Sequence, residues 1–271
     1  MGLYSHSKLS SYEQCKLKYK LRYIDKIKPD VEKSIEAHLG TIVHDSLEWL
    51  YGEVLRGRIR TIEELIKYYS VKWEADYAPG TVIVKEGMTD KDYFNKGVGF
   101  LVDYYLKHTP FNDGTIELEK RIFIDLGEHK LQGYIDRLTK NPVTGEYAVH
   151  DYKTANSLPD KYNVEKDRQL GIYSLAIKEA FGFDKDVLLI WHYLAFNQKI
   201  TSNRTNSQLE ELKKEILQLI GRIEAEDNFT ANKSVLCGWC EYKTMCPCFG
   251  GRLPETQQKL GGYPVAEGCL K

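Results

Sequence analysis

The sequence predicts a mixed α/β fold: a mixed sheet core flanked by helices, preceded by a helical insertion and followed by a cysteine-rich tail. Three observations predict it. Helical periodicity fills roughly the first 110 residues. Alternation of apolar and polar side chains then takes over at 115–125, 130–139 and 146–152. Four of the six cysteines fall within twelve residues near the end, at Cys237, Cys240, Cys246 and Cys248.

The elements follow in order. Residues 7–23 (SKLSSYEQCKLKYKLRY) read as a basic helix studded with tyrosines. Ser10 or Ser11 serves as its cap, Glu13 lies in its first turn, and Pro29 and Asp30 break it. Ile35, Leu39, Ile42, Val43, Leu47 and Leu50 recur at near-helical spacing and predict a second helix from Ile35 to Leu55. Helical patterns return at 61–77 and 90–108. The three alternating stretches are strands, the last two separated by the turn signal Asn141-Pro142-Val143-Thr144-Gly145. A helix is expected at 164–181, a central strand in the apolar run Val187 to Phe196, and a long helix at 207–226. No internal repeat or interdomain linker is visible. The expected division of a single domain is a basic helix (1–33), a helical roof (34–110), a core (111–230) and a tail (231–271).

Composition narrows the class. With 271 residues, 42% hydrophobic and 28% charged, the chain is ordinary globular material. No run of 18 apolar residues exists, which excludes a membrane-spanning helix, and Met1 to Ser10 lacks an apolar leader core. A cytoplasmic protein is expected. Net charge is −1, but residues 1–33 carry eight Lys/Arg against four Asp/Glu, and residues 233–271 five against three. The middle is therefore acidic and the ends basic, which suits a chain that holds cations centrally and phosphates peripherally; solvated surface charge gives the same pattern.

Within the strands, Gly133-Tyr134-Ile135-Asp136 places a carboxylate in a β segment, and His150-Asp151-Tyr152-Lys153 follows after one turn. Residues i and i+2 of a strand share a face, so Asp151 and Lys153 lie together, and hairpin pairing brings Asp136 toward Asp151. Two clustered carboxylates repel unless a cation lies between them. Mg²⁺ or Mn²⁺ answers that need and can bridge to a phosphate, while the lysine orients or deprotonates the attacking water. His44, in the second helix, is a candidate imidazole ligand. Gln169 and Tyr173 stand at i and i+4 on the next helix and share a face. Taken singly, each of these is more often a solvated ion pair, a packed histidine or a helix surface.

Together, Gly40-x-x-x-His44, Gly133-Tyr-Ile-Asp136, Asp151-Tyr-Lys153 and Gln169-x-x-x-Tyr173 resemble, in order, the RecB-like branch of the PD-(D/E)xK nuclease superfamily. The resemblance covers residues 5–250 and implies a restriction-endonuclease-like fold. It further implies that His44, Asp136, Asp151 and the carbonyl of Tyr152 are metal ligands. Lys153 would be the catalytic lysine, with Gln169 and Tyr173 beside it.

The tail reads Cys237-x2-Cys240-x5-Cys246-Pro247-Cys248. Without a secretion signal, such clustering suggests metal binding before disulfides. The three spaced thiolates need a fourth: Cys248 as in a zinc knuckle, or the distant Cys15. Iron–sulfur members of the resembled branch, among them helicase–nuclease subunits and CRISPR-associated adaptation exonucleases, use one cysteine before the core and three after it. That implies Cys15, Cys237, Cys240 and Cys246 hold a [4Fe–4S] cluster. Lys16 follows Cys15 where the family often has proline, so Cys248 stays an alternative fourth ligand; zinc stays an alternative metal, and Cys269 reads as a spare thiol. Such a clip would gather Tyr12, Tyr19, Tyr23, Trp239 and Tyr242 among basic residues, as a stacking platform for single-stranded DNA or as shielding and core.

The expectation is a Mg²⁺- or Mn²⁺-dependent DNA exonuclease acting on single strands or ends, with residues 35–110 restricting access to threaded ends. Its partners would be proteins of repair, phage replication or CRISPR adaptation. The rival expectations are a non-catalytic DNA-end binder that keeps the fold and a zinc-binding interaction protein.

Overall fold

The computed structural model describes residues 2–29 and 33–252. A short strand, β1 (Gly2–Ser5), leads into α1 (His6–Gln14) and α2 (Lys16–Tyr19), which runs on as a π-helical turn, Lys20–Ile24. The roof is α3 (Ile35–Leu55), α4 (Ile62–Ala75) and α5 (Asp90–His108). Then come β2 (Thr115–Asp125), β3 (His129–Lys140), β4 (Tyr147–Lys153), α6 (Lys161–Glu165), α7 (Arg168–Phe181), β5 (Val187–Tyr193), β6 (Gln198–Ser202) and α8 (Asn206–Glu224). The tail from Val235 to Phe249 is a chain of 3₁₀ turns. Among the described residues no helix is long and apolar enough to cross a membrane.

The mixed α/β expectation holds, with corrections to several elements. The basic helix is broken at Cys15, whose backbone is extended (φ −162°, ψ 113°). Tail residues take over the bonds that a continuous helix would keep: Leu17 N–H donates to the Thr230 carbonyl and Asn232 Nδ2 to the Gln14 carbonyl. The cap is Ser5, not Ser10 or Ser11, because the helix starts earlier, at the end of β1. The helix ends at Ile24, before Pro29. The predicted helix at 164–181 is two helices, each with its own aspartate cap: Asp160 accepts from Asn163 N–H and Asp167 from Leu170 N–H. The apolar run ends as a strand at Tyr193 and closes in a 3₁₀ turn, Leu194–Phe196. Strands β1 and β6 were not expected; four and five residues at sheet edges are too short for alternation to register.

The sheet runs β1-β3-β4-β5-β6, with β2 on the other edge of β3. Strand β3 is long enough to pair along one edge with two strands in succession. Its start, His129–Gln132, takes β1 in parallel, and its end, Arg137–Lys140, takes β4 antiparallel. Beyond His150 strand β4 leaves β3 and stays paired only with β5, from Tyr147↔Val187 to Lys153↔Tyr193. The sheet therefore forks between Asp136 and Asp151.

Three cores hold this frame. The largest packs the sheet against α1, α7 and α8 through Leu9, Ile135, Val149, Leu175, Leu189 and Ile220, all fully buried. The roof has its own core around Ile42, Leu47, Leu65 and Leu101, which closes down on Tyr152. A small third core, Leu17, Leu21 and Tyr242, joins the N-terminal helices to the tail.

Candidate active site

A fork in a sheet strips backbone groups of their partners. On β4, Tyr152 N–H loses the strand that would accept it, and the Asp136 side chain takes its place: Oδ2 accepts at 2.9 Å. The Tyr152 carbonyl accepts from His44 Nε2 at 2.8 Å. The other imidazole nitrogen, Nδ1, lies 3.3 Å from Asp136 Oδ2. Burial disfavours a charged imidazole, but the Asp136 carboxylate outweighs it and holds His44 up at about 9. The helix that carries His44 reaches the fork closely because Gly40 faces Thr154, where an added Cβ would stand 3.4 Å from the hydroxyl.

Asp151 is buried, 2% exposed, on the same face. Burial raises its carboxyl to about 6, against the pull of Lys153, whose Nζ lies 2.6 Å away. Lys153 also donates to Gln169 Oε1 at 3.0 Å, and Gln169 Nε2 donates to Tyr173 OH at 2.8 Å. A polar chain thus runs Asp151, Lys153, Gln169, Tyr173. Tyr173 needs Gly133 beneath it: a Cβ there would stand 3.2 Å from its ring. Each sequence-predicted residue of this centre, His44, Asp136, Asp151, Tyr152, Lys153, Gln169 and Tyr173, falls in one connected cluster.

A carboxylate that sequence reading missed joins them. In the β2–β3 register, Leu118 pairs with Arg137 and Lys120 with Ile135, so Glu119 lies opposite Asp136. Glu119, Asp136 and Asp151 therefore stand in a row across three adjacent strands. Glu119 is left-handed (φ 44°), a conformation its residue type seldom adopts. Burial, then the charges of Asp136 and Glu48, lift its carboxyl to about 7. No pattern in the sequence marks it, because a register shift between Thr115 and Glu117 decides which residue of β2 meets Asp136.

The reverse face of the fork is held by one buried cation, Arg137, which pairs with Asp113. Arg137, 0% exposed, donates to Tyr152 OH at 2.9 Å and to His150 Nδ1 at 2.8 Å. Burial, then the Arg137 charge, keeps His150 and His192 far below the usual imidazole value.

Among the described residues, no three His, Cys, Asp or Glu side chains are drawn together into a ready metal-binding set. In the carboxylate centre, Lys153 and His44 occupy the lone pairs a divalent ion would take. The donor chemistry nevertheless fits one: two carboxylates, a carbonyl and an imidazole, with a buried Asp151 that is costly to ionise without a cation.

Among the described residues the free cysteines are Cys15, Cys237, Cys240 and Cys246, each half-buried, and all four border a cavity of about 50 Å³. Asn232 N–H points at Cys15 Sγ and Ser234 N–H at Cys237 Sγ, 3.4 Å each. Amide donors aimed at sulfur suit thiolates that hold a cluster. Cys248 borders the same cavity but is disulfide-bonded and so is not available as the alternative fourth ligand; Cys269 lies outside the described residues. The aromatics divide: Tyr12, Tyr19 and Tyr242 are buried and belong to the cores, because α1, α2 and the tail pack on one another there, whereas Trp239 is 47% exposed.

Comparison with known proteins adds the following. The family model of the PD-(D/E)XK nuclease superfamily matches residues 4–247. The Gene 69 protein of Mycobacterium phage L5 is 29% identical over 133 residues, 46% of this chain and 42% of the phage protein. That of Mycobacterium phage D29 is 39% identical over 72 residues, 27% of this chain and 24% of its own. These matches thus span less than half the length of either relative. A crystal structure from Eubacterium rectale, named as a candidate exonuclease, aligns at a TM-score of 0.47 with 14% identity, over 88% of this chain and 87% of that one.

Proposed function

Since the chain belongs to the PD-(D/E)XK nuclease superfamily, we propose that it is a divalent-metal-dependent DNA exonuclease that works on single strands or strand ends. One observation carries the reading: Asp136 and Asp151 face each other at the sheet fork with His44 and Lys153 already on their oxygens. Asp136, Asp151, His44 and the Tyr152 carbonyl would hold a Mg²⁺ or Mn²⁺ ion. When bound, it supplies Lewis-acid stabilisation of charge developing on the phosphate.

The protein's own residues do the rest. Lys153, released from Asp151, aims its ammonium as a donor at the attacking water and at the charge developing on the phosphate, and the proton that this water loses passes to bulk solvent. Gln169 fixes the direction of that ammonium, and Tyr173 fixes Gln169. Asp136 and Arg137 lock the fork from its two faces, so that the carboxylates do not shift during the reaction. The roof borders the centre through His44 of α3, which lies on Asp136 and on the Tyr152 carbonyl; this supports action on threaded ends rather than within a closed strand.

We assign Cys15, Cys237, Cys240 and Cys246 to a [4Fe–4S] cluster with a structural role. The four free thiols around one cavity and the two amide donors on their sulfurs support it. Colourless protein with stoichiometric zinc after anaerobic purification would overturn the cluster.

The test of the nuclease is an anaerobic assay with Mn²⁺ on 5′- and 3′-labelled strands and on a covalently closed single-stranded circle. Wild type should degrade linear strands progressively from one end and spare the circle, and Asp151→Ala should leave both intact. Cleavage equal in the two proteins would sink the catalytic reading and leave a DNA-end binder. Digestion of the circle would sink the exonuclease reading.

A further inference from the structure

Next to the cluster cavity lies a larger one, about 600 Å³, where three parts of the chain meet. The N-terminal helices contribute Arg22, the start of the roof contributes Lys33 and Ala37, and the tail contributes Trp239, Glu241 and Lys243. The tail closes on the roof here: a Cβ on Gly238 would stand 3.5 Å from Val84. Three cations face one carboxylate, so the lining is positive, and Glu241 is itself shared between Lys18 (2.9 Å) and Arg22 (3.2 Å). Trp239 is the tryptophan left open: Trp73 and Trp191 are buried, and Trp49 stacks on Tyr68 at 4.7 Å.

One face of α3 leads from the cavity toward the carboxylate centre. Ala37, Thr41 and His44 stand at i, i+4 and i+7 on α3 and share a face. That face is open, with Ala37 and Thr41 exposed and Gly40 between them. Seven helical residues rise about 10 Å, the length of about three stacked nucleotides at 3.4 Å each.

We propose that the Trp239 cavity is a binding site for the single strand leading to the active centre: a base stacks on Trp239, and Arg22, Lys33 and Lys243 take phosphates about three nucleotides from the scissile bond. The inference rests on the nuclease reading for its direction, but the stacking site stands or falls by binding alone. An aromatic face on a cationic groove is the chemistry that holds single strands without regard to sequence, because every base offers a π-face. A duplex does not offer an unstacked base to that ring.

The experiment measures equilibrium binding of fluorescein-labelled oligo(dT) with Ca²⁺ in place of Mn²⁺, in an Asp151→Ala background that cannot cut. A twelve-nucleotide strand should quench tryptophan fluorescence and bind five- to a hundred-fold more weakly to Trp239→Ala, while Trp239→Phe stays within about threefold. A dinucleotide, too short to reach from the centre, should bind both proteins alike, as should a blunt duplex. Exposure of Trp239 makes misfolding of either variant no obstacle. Unchanged binding of the twelve-nucleotide strand by Trp239→Ala overturns the proposal and leaves Trp239, with the exposed Val235 and Leu236, to a protein partner. An equal loss on blunt duplex overturns the single-strand assignment. Failure of the nuclease reading is a separate result, read as absence of Mn²⁺-dependent cleavage in the protein with Asp151 intact.

Discussion

At the scale of residues, protonation governs the centre. His44 sits at about 9, and an imidazole must be neutral to bind a metal. Each Mn²⁺ bound there displaces one proton from His44, so Mn²⁺ affinity should rise about tenfold per pH unit between 6.5 and 9 and flatten above. Isothermal titration across that range checks it, and a His44→Ala variant with the same slope would remove His44 from the ligand set. In the metal-free protein the sign is opposite for stability. The His44–Asp136 contribution is complete below 6.5 and lost as pH rises through about 9. Glu119 behaves as a strained acid. Its folded value of about 7 lies above the ordinary 4.5, so its cost is absent below pH 4.5 and complete above pH 7. Glu119→Gln should therefore stabilise the metal-free protein at pH 8 by about 1 kcal/mol, after discount for solvent screening, and leave it unchanged at pH 4.5; denaturant melts at the two pH values decide. Lys153→Ala should cost about 10²–10³ in kcat, the usual range for a preorganised donor that stabilises developing charge, with little change in strand binding measured in Ca²⁺. The sequence made Asp136, Asp151 and Lys153 legible because their spacing is local to one hairpin. Glu119 was not legible, since its place depends on a strand register that no short-range pattern encodes.

At the scale of elements, the long strands and helices could be read because each buries one face and so prints a period on the chain. Helix α3 ends at Ile35 and Leu55 in the structure, at the expected residues. What escaped were elements whose limits are set by partners. The break at Cys15 exists because residues 230–232 bond into it, and the helix before Arg168 was cut by the caps Asp160 and Asp167. Helix packing in the roof gives a sharper prediction. Gly97 of α5 packs against both α4 and α3: a Cβ there would clash with the Tyr69 hydroxyl and stand 2.9 Å from Leu39 Cδ1. Tyr69 cannot easily yield, because it is fully buried and its hydroxyl donates to the Phe94 carbonyl. Gly97→Ala should therefore destabilise the roof by about 1–3 kcal/mol despite the better helix former, against a gain of at most about 1 kcal/mol from propensity. Amide exchange should quicken in α3–α5 and leave β3–β5 protected. A Tm equal to or above wild type would show that the roof repacks freely around that site.

At the scale of the whole molecule, the basic N-terminal helices and the described start of the basic tail are brought together. Their charge imbalance was legible; their meeting was not, since Cys15 and Cys237 are 222 residues apart and only family resemblance joined them. The structure holds the ends by Leu17, Leu21 and Tyr242, by the Tyr242 hydroxyl on the Ile27 carbonyl at 2.9 Å, and by Glu241 between Lys18 and Arg22. A core of three buried side chains and partly exposed ion pairs is weak for such a closure, because each surface pair contributes about 0–1 kcal/mol. A cluster on Cys15, Cys237, Cys240 and Cys246 would add a cross-link whose chain-entropy effect, for loops beyond 100 residues, approaches about 5 kcal/mol. The consequence is specific to place. Cys15→Ser should bleach the brown protein, lower Tm and expose 16–24 and 231–250 to rapid amide exchange, while α1, β3, β4 and β5 stay protected in their own core. Strand binding should fall with it, because Arg22 and Trp239 reach one cavity only when the ends are joined. Retained protection of both ends in the colourless variant would mean that side-chain contacts alone close the molecule, and the clamp would have to be abandoned.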